Sequence, residues 1–307
     1  MRLIALLFVA ALAGYSADYL AGPVSGYLLL KDSGSLRVIQ GLPGAAILGA
    51  SVNPSEKLLL RAVSADADIA AGLLDGVPVL VHGLRAGSYR TTNLTGLTSS
   101  PDLLAARGQY AAVYSSADRK LLWIENALSA EPVITVVLDG EQVSAVAVNA
   151  TGRLLAVTTD SSGTTLLQSQ RGASLARVAH FNGTVAISFA DGENALLADY
   201  SRNEVLSLSP SGHLRLVASE RDGLNGPVAV AFRNGVTYIA NAGSRTLHIL
   251  EAGQVEVIDL PLTPDRLELV APDGAWRLND GAPAVQYLFD PARRSTFFIP
   301  AESATNE

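Results

Sequence analysis

The chain has 307 residues, 49% of them hydrophobic and 17% charged, and its 22 basic against 29 acidic residues leave a net charge of −7. An acidic balance with no basic run argues against nucleic acid and anionic lipid as partners, and the apolar content argues against disorder outside the termini. Cysteine is absent, which rules out disulfides, thiolate metal sites and a Cys nucleophile.

Met1-Arg2 followed by the apolar run Leu3 to Ala13 has the charge and length of a secretory signal peptide, expected over residues 1–17. The run is shorter than the roughly 20 residues a bilayer span requires, so no span is expected after cleavage. The other reading of this run is a buried first strand. Export without disulfides fits a bacterial periplasm or envelope better than a small extracellular animal module, so the protein is expected to be secreted or periplasmic. Asn93, Asn149 and Asn182 stand in Asn-x-Thr sequons. They matter only in a eukaryotic secretory pathway, and Asn is also ordinary turn chemistry.

Next comes a hairpin, Gly26–Leu30 and Ser35–Gln40 around Lys31-Asp32-Ser33-Gly34, with no inner partner of its own. A first full unit follows over 45–82, then an irregular stretch rich in Gly, Thr and Ser over 83–100. The second unit covers 103–138. Thereafter one pattern recurs: an alternating small-apolar run, a Gly turn and a second apolar run ending in a polar loop. Its turn glycines, Gly152, Gly192, Gly235 and Gly274, are spaced 40, 43 and 39 residues apart. A period near forty with hairpins in each unit predicts an all-β fold, a single closed β-propeller over 18–300 with a frayed tail at 301–307. Six inner-strand runs predict six blades. The alternative is a seventh, composite closing blade built from the N-terminal hairpin and C-terminal strands.

Gly226-Pro227-Val228-Ala229-Val230-Ala231-Phe232, the Asn234-Gly235 turn, Tyr238-Ile239-Ala240-Asn241 and Ser244-Arg245-Thr246-Leu247 resemble an NHL-type repeat, as do Ala195 to Asp199 and Ser201 to Val205. The resemblance implies a scaffold or binding surface, since NHL units carry no chemistry of their own. Asn225-Gly226-Pro227 is also similar to the Pro-Asn-Gly element of calcium-dependent six-bladed lactonases and gluconolactonases, with Leu224 in place of the Pro. That second resemblance implies Asn225 as a calcium ligand, with channel-facing carboxylates such as Asp199 beside it.

Other chemistry-bearing residues read as structural. Asp66, Asp68, Asp160, Asp191 and Asp199 sit at turn levels where Asp satisfies backbone N–H groups. His82, His180, His213 and His248 fall in different units, without metal-ligand spacing, and are expected at surfaces or edges. The run Gly172-Ala173-Ser174-Leu175-Ala176 lacks the last Gly of a nucleophile elbow. The run from Thr158 to Leu166 echoes a structural Asp-box, and Trp123 and Trp276 read as packing residues. Phosphate-binding Gly loops and quinoprotein repeats are missing.

The functional expectation is therefore a non-catalytic, monomeric binding or scaffold module of the bacterial envelope, with no catalytic residue and no cofactor. It would hold a protein or small-molecule ligand at a propeller face built from 83–100 and the loops bearing Asn225 and Asn241. The alternative is a calcium-dependent lactonase-type hydrolase using Asn225 and Asp199 in the central channel, and a third reading is a purely structural envelope protein.

Overall fold

The computed structural model describes residues 23–64, 67–84, 88–190, 192–270, 274–280 and 285–300. The expected signal peptide, the C-terminal tail, Asp66 and Asp191 lie outside the described residues.

The described strands form seven antiparallel sheets that follow one another along the chain. Blade 1 runs through Val24–Leu30, Ser35–Gln40 and Ile47–Ser51, a three-stranded sheet. Blades 2 to 7 have four strands each. They begin at Leu58–Ser64, Leu103–Arg107, Val143–Val148, Val185–Phe189, Pro227–Arg233 and Glu268–Leu269, and blade 7 ends at Ser295–Pro300. Within each four-stranded blade the first strand is innermost. The lower face carries the turns from first to second strand and from third to fourth. The upper face carries the turns from second to third strand and the linkers to the next blade.

Seven blades correct the expectation of six. The N-terminal hairpin does not join the last sheet; it recruits Ile47–Ser51 through pairs such as Gln40 with Ile47 and Ile39 with Leu48. The strand at 47–51, assigned from sequence to the following unit, therefore belongs to blade 1.

Packing explains why the ring holds. A sheet with two apolar faces cannot bury both alone, and side chains alternate between faces along each strand. In Tyr110–Ser115, the second strand of blade 3, Ala111 and Val113 pack toward blade 2 with Ile69 and Leu80. Ala112 and Tyr114 pack toward blade 4 with Leu154 and Ala156. Trp123 is 1% exposed and stacks on Tyr110 with ring centroids 5.3 Å apart, a contact whose loss with the ring would cost about 3–5 kcal/mol. An apolar layer of this kind lies at each of the seven blade interfaces. The closing one sets Leu28, Ile39 and Leu48 of blade 1 against Val270, Leu288 and Ile299 of blade 7. There the Tyr27 amide also donates to the Val270 carbonyl at 2.8 Å.

The stretch 83–100 is not a single loop. Arg90–Asn93 is the outermost strand of blade 2, paired to Val79–His82, and Leu94 and Leu97 of the linker that follows are buried in the apolar layer between blades 2 and 3. The segment therefore passes from the lower face to the upper instead of building one surface. Among the described residues, no helix is long and apolar enough to cross a membrane.

Candidate functional site

The inner strands line a cavity of about 430 Å³ near the lower face, walled by Leu104, Ile187, Phe189, Phe232 and Leu267, with Ser64, Arg107, Asn149, Thr151 and Ser188 as polar positions. Strands that converge on an axis leave room mostly for small side chains, and Ala105, Ala106 and Ala147 make up much of the remaining wall. A second cavity of about 350 Å³ forms the mouth and shares Arg107 and Phe232 with the first. Ala67 and Arg107, from blades 2 and 3, line it together with Arg233 of blade 6 and Trp276 of blade 7. Blades 3 and 6 are not neighbours in the ring, so this mouth spans the channel.

Trp276 does pack, as expected, against Tyr238 with centroids 6.0 Å apart. It is 7% exposed, and its indole Nε1 is buried with no hydrogen-bond partner among the described residues. Part of the rim is held rigidly. Asn149 is 3% exposed, and its Oδ1 accepts from the Thr151 amide at 3.1 Å and the Arg153 amide at 2.8 Å. Arg153 beneath it is 1% exposed and donates to Gln168 Oε1 at 2.5 Å and to the Ser209 carbonyl at 2.9 Å. Burial lowers its pKa, opposed by the nearby Glu193 carboxylate. Asn149 is thus turn chemistry, as its sequence setting indicated.

The residues singled out by the lactonase resemblance lie on the upper face, at the opposite end of the blades. Asp199 ends the second strand of blade 5 and is not part of the channel wall. It is 1% exposed. Its Oδ1 accepts from the Ser201 amide at 3.0 Å, the Ser201 hydroxyl at 2.8 Å and the Arg202 amide at 3.2 Å. The short side chain folds back on its own turn because the three-residue reach satisfies donors that the hairpin leaves unpaired. Asn225 is exposed on the linker into blade 6. Its carbonyl accepts from the Gly243 amide at 3.1 Å, and its Oδ1 rests against Gly243 so closely that a Cβ there would lie 2.5 Å away. Asn241 occupies in blade 6 the position of Asp199 in blade 5, and its Nδ2 lies 2.6 Å from His248 Nδ1. The structure brings Asp199, Asn225 and Asn241 to one face of blades 5 and 6. Among the described residues no group of three or more His, Asp and Glu side chains converges as a metal site would require.

The remaining candidates are dispersed. Asp160 is exposed and accepts from the Ser162 amide and hydroxyl, each at 2.6 Å, as a turn Asp does. Asp68 sits in the lower turn of blade 2 with φ 51°, and Ser174 is exposed in the turn between the third and fourth strands of blade 4. His180 and His213 are exposed and His82 is half-buried. His248 departs from expectation: it is 2% exposed, because the third strand of blade 6 places it between the Asn241 amide and the backbone at Gly223.

Arg107, Phe189, Phe232 and Arg233 were not recognised from sequence as site residues, yet a signal was present. Each is a bulky residue at the end of a small-residue inner strand, immediately before the turn into the second strand, where the taper opens toward solvent.

No protein-family model matches the sequence, and no curated protein matches it. Among solved structures, the chain is similar to a streptogramin B lyase with a TM-score of 0.56 at 8% identity, covering 80% of this chain and 87% of that one. It is similar to virginiamycin B lyase from Staphylococcus aureus with a TM-score of 0.55 at 11% identity, covering 92% and 96%. A chain of a mitotic checkpoint complex gives a TM-score of 0.61 at 11% identity, covering 94% and 92%. At such identities the likeness bears on fold alone. It agrees with the NHL-like propeller expected from the repeat, and the architecture of this chain is a seven-bladed β-propeller.

Proposed function

We propose that this protein is an exported, monomeric, non-catalytic binding propeller that holds a small organic ligand in the lower half of its channel. The observation that carries the reading is the cavity of about 430 Å³ between the inner strands, a size and mixed apolar and polar lining suited to a ligand of drug-like dimensions. Its continuity with the mouth at Arg107 and Phe232 supplies an entry path. Support for export comes from the leader pattern of Met1 to Ala13, and the cysteine-free composition favours a bacterial periplasm or envelope.

The test is thermal unfolding of the mature protein across a panel of small acids, amides and aromatic compounds, beside a Ser188→Trp variant that fills the cavity. A compound binding only the folded state at a hundred times its Kd raises stability by about 2.7 kcal/mol. Stabilisation seen in the native protein and lost in the filled variant supports the reading. Stabilisation that survives the filling, or turnover of a bound compound, overturns it.

A further inference from the structure

Apart from the channel, we propose a second ligand site at the seam that closes the ring, a cavity between blades 1 and 7 that takes an uncharged apolar molecule. The cavity measures about 430 Å³, a volume suited to a small ligand, and lies at the lower ends of the two blades. Ile39 and Pro43 of blade 1 wall it on one side, and Val270, Ala275, Leu288 and Phe297 of blade 7 on the other. Ile39 and Val270 are 2% exposed and Leu288 is 0% exposed, so the floor belongs to the apolar layer that joins the first sheet to the last.

The polar groups of the wall fix the class of molecule. Ser25 and Asp290 line the cavity as well, and both are engaged within the chain. The Ser25 hydroxyl donates to the Gly41 carbonyl. Asp290, 8% exposed, accepts at Oδ1 from the Ala292 amide at 2.9 Å and the Arg293 amide at 3.2 Å, and at Oδ2 from the Arg293 guanidinium at 3.0 Å. At the backbone, the Val270 carbonyl accepts from the Tyr27 amide at 2.8 Å, and the Val270 amide donates to the Ala275 carbonyl at 3.1 Å. A wall whose hydrogen-bonding groups serve its own turns offers burial and few polar contacts, so a polar ligand would lose water without replacement. Charge of either sign is disfavoured. Arg293 already pairs with Asp290, leaving a cation without a partner, and an anion meets that carboxylate in a chain of net charge −7.

The rim points the same way. Val24 lines the cavity and is 53% exposed, and Leu42, beside Pro43 in the turn at 41–46, is 59% exposed. Apolar surface left in water at the edge of an apolar cavity gains when an apolar molecule covers it. Because one wall comes from the first sheet and the other from the last, the site is whole only while the ring is closed, and an occupant stabilises that closure.

The experiment is fluorescence titration of the mature protein with N-phenylnaphthylamine, an uncharged probe, and with anilinonaphthalene sulfonate, the same ring system carrying a negative charge. Both titrations are repeated on Val24→Asp, Ala275→Leu and Ser188→Trp variants that keep native circular dichroism. The expected result is a single N-phenylnaphthylamine bound per chain, at least about tenfold tighter than the sulfonate and about tenfold weaker in Val24→Asp and Ala275→Leu. Val24 is exposed at the start of its strand, so its variant reports on the site even where Ala275→Leu disturbs packing. Ser188→Trp fills the channel cavity and leaves this affinity unchanged. Equal affinity for the two probes, or an affinity unmoved by both seam substitutions, overturns the seam site. Loss of binding in Ser188→Trp overturns it too, by placing the probe in the channel. Failure of both probes to bind overturns the seam site and leaves the channel reading standing.

Discussion

Arg277 in blade 7 donates from Nη1 to the carbonyl of Leu29 in blade 1 at 3.2 Å, joining the last sheet to the first. The guanidinium side chain is 3% exposed. It also reaches Gln286 Oε1 at 2.9 Å, Glu268 at 3.3 Å and Asp280 at 3.3 Å. Asp280 in turn pairs with Lys31 of blade 1 at 3.1 Å. The ring is thus closed by an apolar layer with a charged clasp along its edge.

Arg277→Ala removes the buried centre of that clasp, while Glu268 and Asp280 keep Arg266 at 3.6 and 2.6 Å and Asp280 keeps Lys31. The expected loss is about 1.5–3 kcal/mol, from the buried hydrogen bonds to Gln286 and the Leu29 carbonyl that go with the guanidinium. Denaturant unfolding measures it directly. A midpoint unchanged by the substitution would show that the apolar layer closes the ring alone.

Asp118 pins the upper turn of blade 3 to the linker from blade 2, accepting from the Thr98 amide at 2.7 Å and the Ser99 amide at 2.8 Å. Burial by itself would raise its carboxyl, but the Thr98 hydroxyl and the two amides outweigh that and hold it at about 2, below the ordinary 3.8. A carboxyl depressed on folding contributes stability above its unfolded value and loses it as pH falls through the folded one. Acid unfolding should therefore steepen between 3.8 and about 2. Asp118→Asn is expected to flatten that interval and to be less stable at neutral pH.

His248 titrates in a different window. Burial lowers its pKa below 6.5, with Asp222 pulling weakly the other way. The unfolded chain therefore binds the proton first, and stability present above pH 6.5 declines below it. Urea midpoints measured from neutral pH down to about 5 should fall in the native protein and hold level in His248→Gln. An identical slope in both would remove His248 as the source.

The calcium reading needs Asn225 and Asp199 to share an ion. Asp199 Oδ1 already accepts three hydrogen bonds from its own turn, so Asp199→Ala is expected to cost about 1–2 kcal/mol as loss of a cap, with or without calcium. Asn225→Ala should leave the midpoint in place. Thermal unfolding after EDTA and across a calcium series gives the answer, since a calcium-dependent rise abolished by either substitution would restore the lactonase reading.

Sequence alone determined the hairpins of the regular units and their turns, but not the pairing of Ile47–Ser51 or Arg90–Asn93. Alternation of Ala, Val and Leu sets which face of a strand is apolar, and Gly152 and Gly235 mark first turns at φ 88° and 82°, a conformation local chemistry enforces. The same local logic made Asp160 and Asn149 readable as turn residues. Blade count was not local. The pairing of Tyr27–Leu30 with Ser35–Val38 is the same whether the hairpin joins an existing sheet or starts its own. The choice rests on whether Leu28, Ile39 and Leu48 find a seventh apolar layer against blade 7. The site was less local still. Ala67, Arg107, Arg233 and Trp276 meet at one mouth only because seven twisted sheets packed face to face close a circle, and ring closure brings together residues that no stretch of sequence places side by side.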